Sequence, residues 1–309
     1  MKKLLGVKIA ALCLIFCMIT SGTVYAATSG YFNTYKEVKS VYDSTYTTSE
    51  GMCVDRFNNI AYVARINGST GGRQQLLAIK NYNSSSPTSV VLKNADNNTN
   101  YTTVLGHAND LAVVASSGSS TVSLYVATME SKGIVKLTVN TSKNTYKVAG
   151  TYSYGGDSPS AITYSVGNSR FIIKSGKQFS KGYFNESSKS FVRESSFTLN
   201  PSNAYINGSH VDCSGYTSQG ICYYKGILYT PLWNKNGNKG QSVVLAYQFE
   251  LSNATGTISP MKNLSFRITS SAYSEQFEIE SVGFDDDVMY FNANRNGAGN
   301  DTFAYFKGM

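Results

Sequence analysis

The stretch "LGHANDLAVV" (Leu105–Val114) sets His107, one of two histidines in a chain of 309 residues, just ahead of Asn109 and Asp110 and then runs into an apolar segment. An imidazole, an amide and a carboxylate this close together could move protons or grip a polar ligand. Other acids and amides stand before apolar runs in the same way: Glu50 before "GMCV", Gln219 before "GICY", and Glu278 and Glu280 around "SVGF". Two carboxyl groups facing one another across a cleft are what glycoside hydrolysis requires, about 5 Å apart in retaining enzymes and somewhat more in inverting ones. Whether these residues meet depends on the elements that carry them.

Those elements read as strands. Tyr, Val, Thr and Phe are abundant, Gly-Asn-Ser turns separate short apolar runs, and no long stretch shows helical periodicity. One unit occurs five times: a strand opening on a small or polar residue, a turn, an apolar strand centred on a large residue, a polar loop and a third strand. The copies are "GMCVD…IAYVA…QLLAIKNY", "DLAVV…SLYVAT…GIVKLTV", "SAITY…RFIIKS…KGYFN", "GICYY…ILYTPLW…VVLAYQFE" and "SVGFD…VMYFNAN…TFAYFKG". Their second strands centre on Tyr62, Tyr125, Ile172, Tyr229 and Tyr290, with spacings of 47 to 63 residues, roughly the length of a propeller blade.

A fourth strand is available for the first four units in Thr88–Asn94, Tyr146–Tyr154, Ser190–Leu199 and Asn263–Ser271. The fifth unit reaches Met309 without one, while Tyr31–Ser44 is a spare strand at the opposite end. A sandwich would also give many short strands, but only a circle accounts for a missing strand at one terminus and a surplus at the other. The expected fold is therefore all-β: a five-bladed β-propeller closed by the N-terminal strand pairing with the last blade, which removes two sheet edges at once.

In a propeller the segments leading into the innermost strands converge on the axis, on the face where the second-to-third-strand loops also open. Aligning the copies puts Glu50, Asn109, Pro159, Gln219 and Glu280 just before the innermost strands, with Thr48, His107, Asp157, Thr217 and Glu278 two residues earlier. A concave mouth with converging polar groups is the default ligand site; strand-start side chains that merely satisfy loop amides are the plainer alternative. Asp110 begins the second copy and belongs to the same ring. The loops after the second strands, "RINGSTGGR", "NKNGNKG" and "RNGAGND", add Arg65, Lys235 and Arg295, and Lys132 and Lys174 hold the matching places in the other two copies. Trp233, the single tryptophan, ends the fourth second-strand and could stack on a sugar. A calcium ion at the oxygens of this ring is the one cofactor the pattern admits, without calcium-loop spacing behind it; otherwise none is expected. His210, Asp212 and Cys213 could be drawn as base, acid and nucleophile, on spacing alone. "FDDDVMY" (Phe284–Tyr290) reads as a hairpin turn on the opposite face.

The N-terminus has the form of a secretory signal: Met1-Lys2-Lys3, a mostly apolar stretch too short to span a bilayer, and Val24-Tyr25-Ala26 as a cleavage site. Its expected extent is 1–26, leaving 27–309 as a single propeller domain. It takes three lysines and no acid with it, lowering the net charge from +8 to +5. No dense basic cluster supports nucleic-acid binding, and no later segment is apolar enough for stable membrane insertion. Of the cysteines left, Cys53 and Cys222 read as buried thiols; Cys213 and Cys222 could also pair.

"LGHANDLAVV…SLYVAT", "YTSQGICYYKGILYT" and "EIESVGFDDDVMYF" resemble the strand openings of secreted bacterial β-propellers, and among named groups the chain resembles the five-bladed helveticin J-like proteins over about Ser49–Phe306. The Lys/Asn/Tyr-rich composition suits a Gram-positive source. The fold hosts lectins, lyases, hydrolases and lactonases, so it does not choose among them. The expectation is a secreted, extracellular monomer that binds a glycan, a cell-envelope polymer or another polyhydroxylated or anionic ligand without turning it over, through Glu50, His107, Asn109, Asp110, Gln219 and Glu280, with Arg65, Lys235, Arg295 and Trp233 around them. The alternatives are a carbohydrate-active hydrolase or lyase using the carboxylates and histidine of the same pocket, and a protein-interaction scaffold.

Overall fold

The structure, a computed structural model, describes residues 30–31, 35–68, 72–129, 133–155, 158–206, 208–235, 241–262, 266–268, 277–295 and 301–306. The expected signal segment, Asp157 and Lys132 lie outside them. Strands pair into five antiparallel blades in chain order, each running outward from an innermost strand. The innermost strands are Thr48–Asp55, Asp110–Val114, Ala161–Ser165, an interrupted pair Thr217–Ser218 and Cys222–Tyr224, and Phe277–Asp285. The fold is thus an all-β five-bladed propeller, and the N-terminal strand closes it. Tyr35–Ser40 pairs antiparallel with Thr302–Phe306 and serves as the outermost strand of the last blade.

The reason for the circle lies in the second strands. A strand buried on both faces reads as a continuous apolar run, and its alternate residues point to opposite sides. In "IAYVA", Tyr62 and Ala64 pack toward blade 2, whereas Ala61 and Val63 pack toward blade 5. The repeated centres follow one rule: Tyr62, Tyr125, Ile172, Tyr229 and Tyr290 each fill the seam between their own blade and the next, around the whole ring. Burying such a side chain stabilises by about 1.5–3 kcal/mol. The seam that joins the ends of the chain is aromatic, with Tyr82 and Tyr290 edge to face at 4.9 Å and Tyr290 stacked on Phe303 at 5.6 Å.

The outer strands differ in detail from the sequence expectation. Thr88–Val91 completes blade 1, but Lys93–Asn94 crosses to the outer strand of blade 2. Phe266–Ile268 is the described part of the fourth strand of blade 4, and Gly30–Tyr31 pairs parallel beside it. Gly256–Ile258 likewise adds to the edge of blade 3. These short parallel additions cover backbone edges that the blades leave open.

Candidate functional site

At the aligned position that begins each innermost strand stand Gly51, Asp110, Ser160, Gly220 and Ser281. Four are small because the fifth fills the axis. Asp110 is fully buried, and its carboxylate ties four blades together. One oxygen accepts from the backbone N–H of Ile162 at 3.0 Å and of Ile221 at 2.9 Å; the other accepts from the Ser281 hydroxyl at 2.8 Å and from the N–H of Leu111 at 3.0 Å. A Cβ on Gly51 would sit 2.4 Å from the Asp110 Cα, and one on Gly220 would sit 2.8 Å from its carboxylate. Asp110 is therefore a knot in the scaffold, and the sequence expectation that it contacts a ligand is corrected: its oxygens are taken by protein donors. Burial pushes its pKa up to about 7, against the pull of those four donors.

On one side of the knot lies a group of acids. Glu50 and Glu280 both occupy β-bulges, where pairing between Ser49 and Met52 and between Ile279 and Ser281 shifts register; bulges re-aim side chains in this way. Blade 4 breaks its innermost strand at the equivalent place, Gln219–Ile221. His107 Nε2 lies 3.2 Å from Glu50 Oε2, and the Gln219 side-chain amide donates to Glu278. Glu50, Glu278 and Glu280 are all buried, as is Asp301, whereas the His107 side chain is 27% exposed and forms the contact of this group with solvent. Burial raises the Glu280 pKa well above the usual carboxylate range, and the charges of Glu50 and Glu278 raise it further; Glu50 is raised by burial, then by Glu278 and Asp301.

The remaining candidates divide. Asn109 donates its side-chain amide to the Ser160 carbonyl at 2.7 Å, a link between blades 2 and 3. Arg65 is 4% exposed and acts as a strut: its guanidinium donates to the carbonyls of Val41 and Tyr42 and to the Gln75 side chain, with Asp43 at 3.7 Å. The expectation of Arg65 as outer charge for a ligand is corrected accordingly. Arg295 is half-buried and donates its backbone N–H to Asp301, Lys235 is exposed, and half-buried Trp233 stands opposite Thr217 with an indole N–H that finds no acceptor among the described residues. Lys174 is buried against Ser160 at 3.1 Å, its pKa lowered by that burial. His210 lies in an exposed hairpin against Tyr205, while Cys213 is buried between blades 3 and 4; this pair forms no nucleophile and base. No disulfide joins Cys53, Cys213 and Cys222.

Two residues that the sequence reading passed over support the acids. Asp301 accepts from the N–H of Ser49 at 2.9 Å, and Asn292 donates to the Ser49 hydroxyl at 2.7 Å and to the Glu50 carbonyl. Only the smallness of the four residues aligned with Asp110 signalled in advance that something must fill the axis. Among the described residues no three His, Cys, Asp or Glu side chains form a group that could hold a metal ion.

Raised carboxylate pKa values carry a consequence for stability. The folded protein holds these protons more tightly than the unfolded chain, so the contribution is present at low pH and is lost as pH rises through the folded pKa values. For Asp110 that window runs from the ordinary 3.8 to about 7. The thermal midpoint is expected to fall between about pH 5 and about pH 8, and Glu280→Gln to flatten the fall by removing one buried charge. Thermal unfolding followed by circular dichroism across that range checks this; a midpoint that rises with pH contradicts it.

No family model matches the chain, and no curated protein does. Solved structures do. The tail fiber of Staphylococcus aureus phage P68 superposes with a TM-score of 0.51 at 10% identity over 88% of this chain and 52% of that one. A glycoside hydrolase gives 0.49 at 10% identity over 87% and 60%, and the GH43_1 enzyme from Xanthomonas citri complexed with xylotriose gives 0.48 at 8% identity over 89% and 90%. This chain spans only about half to three-fifths of the first two. None of these matches bears on the helveticin J-like group, and what the chain shares with the tail fiber, at 10% identity, is a fold alone.

Proposed function

We propose that the protein binds a neutral polyhydroxylated ligand, a glycan, at the acidic end of its axis. The observation that supports this is the convergence of Glu50, Glu278 and Glu280 beside His107 and Gln219, with Glu50 and Glu280 re-aimed by bulges. Carboxyl groups that hold protons tightly can both donate to and accept from sugar hydroxyls. The same cluster sets three carboxyl groups against a single imidazole, which disfavours an anionic ligand and narrows the expectation drawn from sequence. The signal-like N-terminus supports an extracellular glycan as the target.

A second reading, hydrolysis at this site, is favoured by the elevation of the Glu280 pKa by burial and then by the charges of Glu50 and Glu278. A protonated carboxyl beside an ionised one supplies the acid and the base or nucleophile of glycoside cleavage.

One set of measurements tests both. Neutral oligosaccharides are titrated by calorimetry and chromogenic glycosides are assayed for release, with Glu280→Gln and His107→Ala alongside. Binding that weakens by about tenfold or more in Glu280→Gln supports the site, since a buried polar group left without its partner costs roughly 1–3 kcal/mol. Turnover lost in the same variant selects the hydrolase. Neither binding nor turnover across the panel would overturn the proposal.

A further inference from the structure

Beyond the Asp110 knot, at the opposite end of the axis, the ring opens into a cavity of 430 Å³. Its floor is Leu111, Ile221 and Val282, the residues that directly follow Asp110, Gly220 and Ser281. The Cys53 and Cys222 thiols lie in its wall, and burial keeps both protonated, Cys222 with a pKa pushed up to about 12. The mouth is ringed by the turns that join first and second strands. Turn geometry selects Gly, Asn and Asp, yet Phe57 and Val166 project there with exposures of 38% and 52%. With Val288, which opens the second strand of blade 5 just after the matching turn, they make three of the seven large apolar side chains exposed among the described residues.

The charges at this mouth are unequal in what they have free. The Asp55 carboxylate accepts from the N–H groups of Phe57 and Asn58 and from the Asn58 side chain. Lys225 pairs with Asp287 at 2.8 Å, and Glu250 is a further lining carboxylate. Exposed Arg56 lies 5.1 Å from the Phe57 ring and has no carboxylate partner among the described residues. A preformed cavity of a few hundred Å³ with an apolar floor and a few polar groups at its mouth has the anatomy of a small-molecule site.

We propose that this cavity binds an amphipathic organic anion, its ring or short acyl chain on the Leu111–Ile221–Val282 floor and its anionic head at Arg56. The site is independent of the acidic one, because the Asp110 knot separates the two ends of the axis.

The test is a fluorescence titration of the full chain with 8-anilinonaphthalene-1-sulfonate. One saturable site is expected, displaced by decanoate and weakened by about tenfold or more in Val166→Asp and in Arg56→Glu. Both positions are exposed, so near-ultraviolet circular dichroism of these variants is expected to match the parent. Glu280→Gln, at the other end, leaves probe binding unchanged. The proposal fails if no saturable binding is seen, if decanoate does not displace the probe, if both rim variants bind like the parent, or if Glu280→Gln abolishes binding.

Discussion

Replacing Asp110 with alanine is expected to cost about 3–5 kcal/mol, the scale seen when one partner of a buried charged network is removed. The N–H groups of Ile162, Ile221 and Leu111, all buried residues, would each lose an acceptor. Each such orphaned donor costs about 1–3 kcal/mol. Asparagine tests the chemistry separately from the volume. Its amide oxygen can keep the two donors from Ile162 and Ile221, while its NH₂ turns toward Ser281, whose hydroxyl can rotate to accept. Only the Leu111 N–H is then left facing a donor. The cost of Asp110→Asn is therefore expected at about 1–3 kcal/mol, below that of alanine. Urea titrations of both variants provide the measurement. Equal costs for the two would mean that filling the axis, not accepting hydrogen bonds, is the work of this side chain. The same packing argument makes Gly51→Ala costly, since its Cβ would press on the Asp110 backbone, which cannot yield as a flexible side chain could.

Loss of the closing strand is the larger effect. A chain lacking residues 35–43 would leave Thr302–Phe306 with an open edge and strip Tyr35 from Phe277 and Phe291, both 5.7 Å from its ring. It would also remove the Thr302–Glu37 hydrogen bond and the carbonyls that hold the buried Arg65 guanidinium. The Thr302–Glu37 hydrogen bond and the strand pairing join residues more than 200 positions apart and have no local substitute. The expected loss is more than about 5 kcal/mol, comparable to the whole stability of an ordinary domain, and an unpaired apolar edge invites association. Size-exclusion chromatography should show aggregated material without a sharp thermal transition. A chain lacking only residues 1–29 keeps every one of these contacts and should melt like the parent. If the shorter chain lacking 35–43 remained a monomer with an unchanged midpoint, closure by this strand would not be what stabilises the ring.

The circle was legible in the residues because its cause is local and repeated. Alternating apolar side chains in "IAYVA" or "VMYFNA" commit each second strand to two seams, and five such strands can satisfy both seams only in a closed ring. The convergence of Glu50, His107, Gln219 and Glu280 was legible for the same reason: equivalent positions of equivalent blades meet at the axis. What each polar group does there was not legible. Asp110 and Glu50 hold nearly the same place in their repeats, yet one is saturated by protein donors and the other is left among like charges. That difference arises from partners such as Ser281, which is 171 residues from Asp110 in the chain. Arg65 was misplaced on the same grounds, because the carbonyls of Val41 and Tyr42 that hold it are brought there only by closure. That the axis is blocked between its two ends was likewise decided by the tertiary structure alone. A single carboxylate crossing the ring seals one level, and the distances between blades that let it do so are not written in any one repeat.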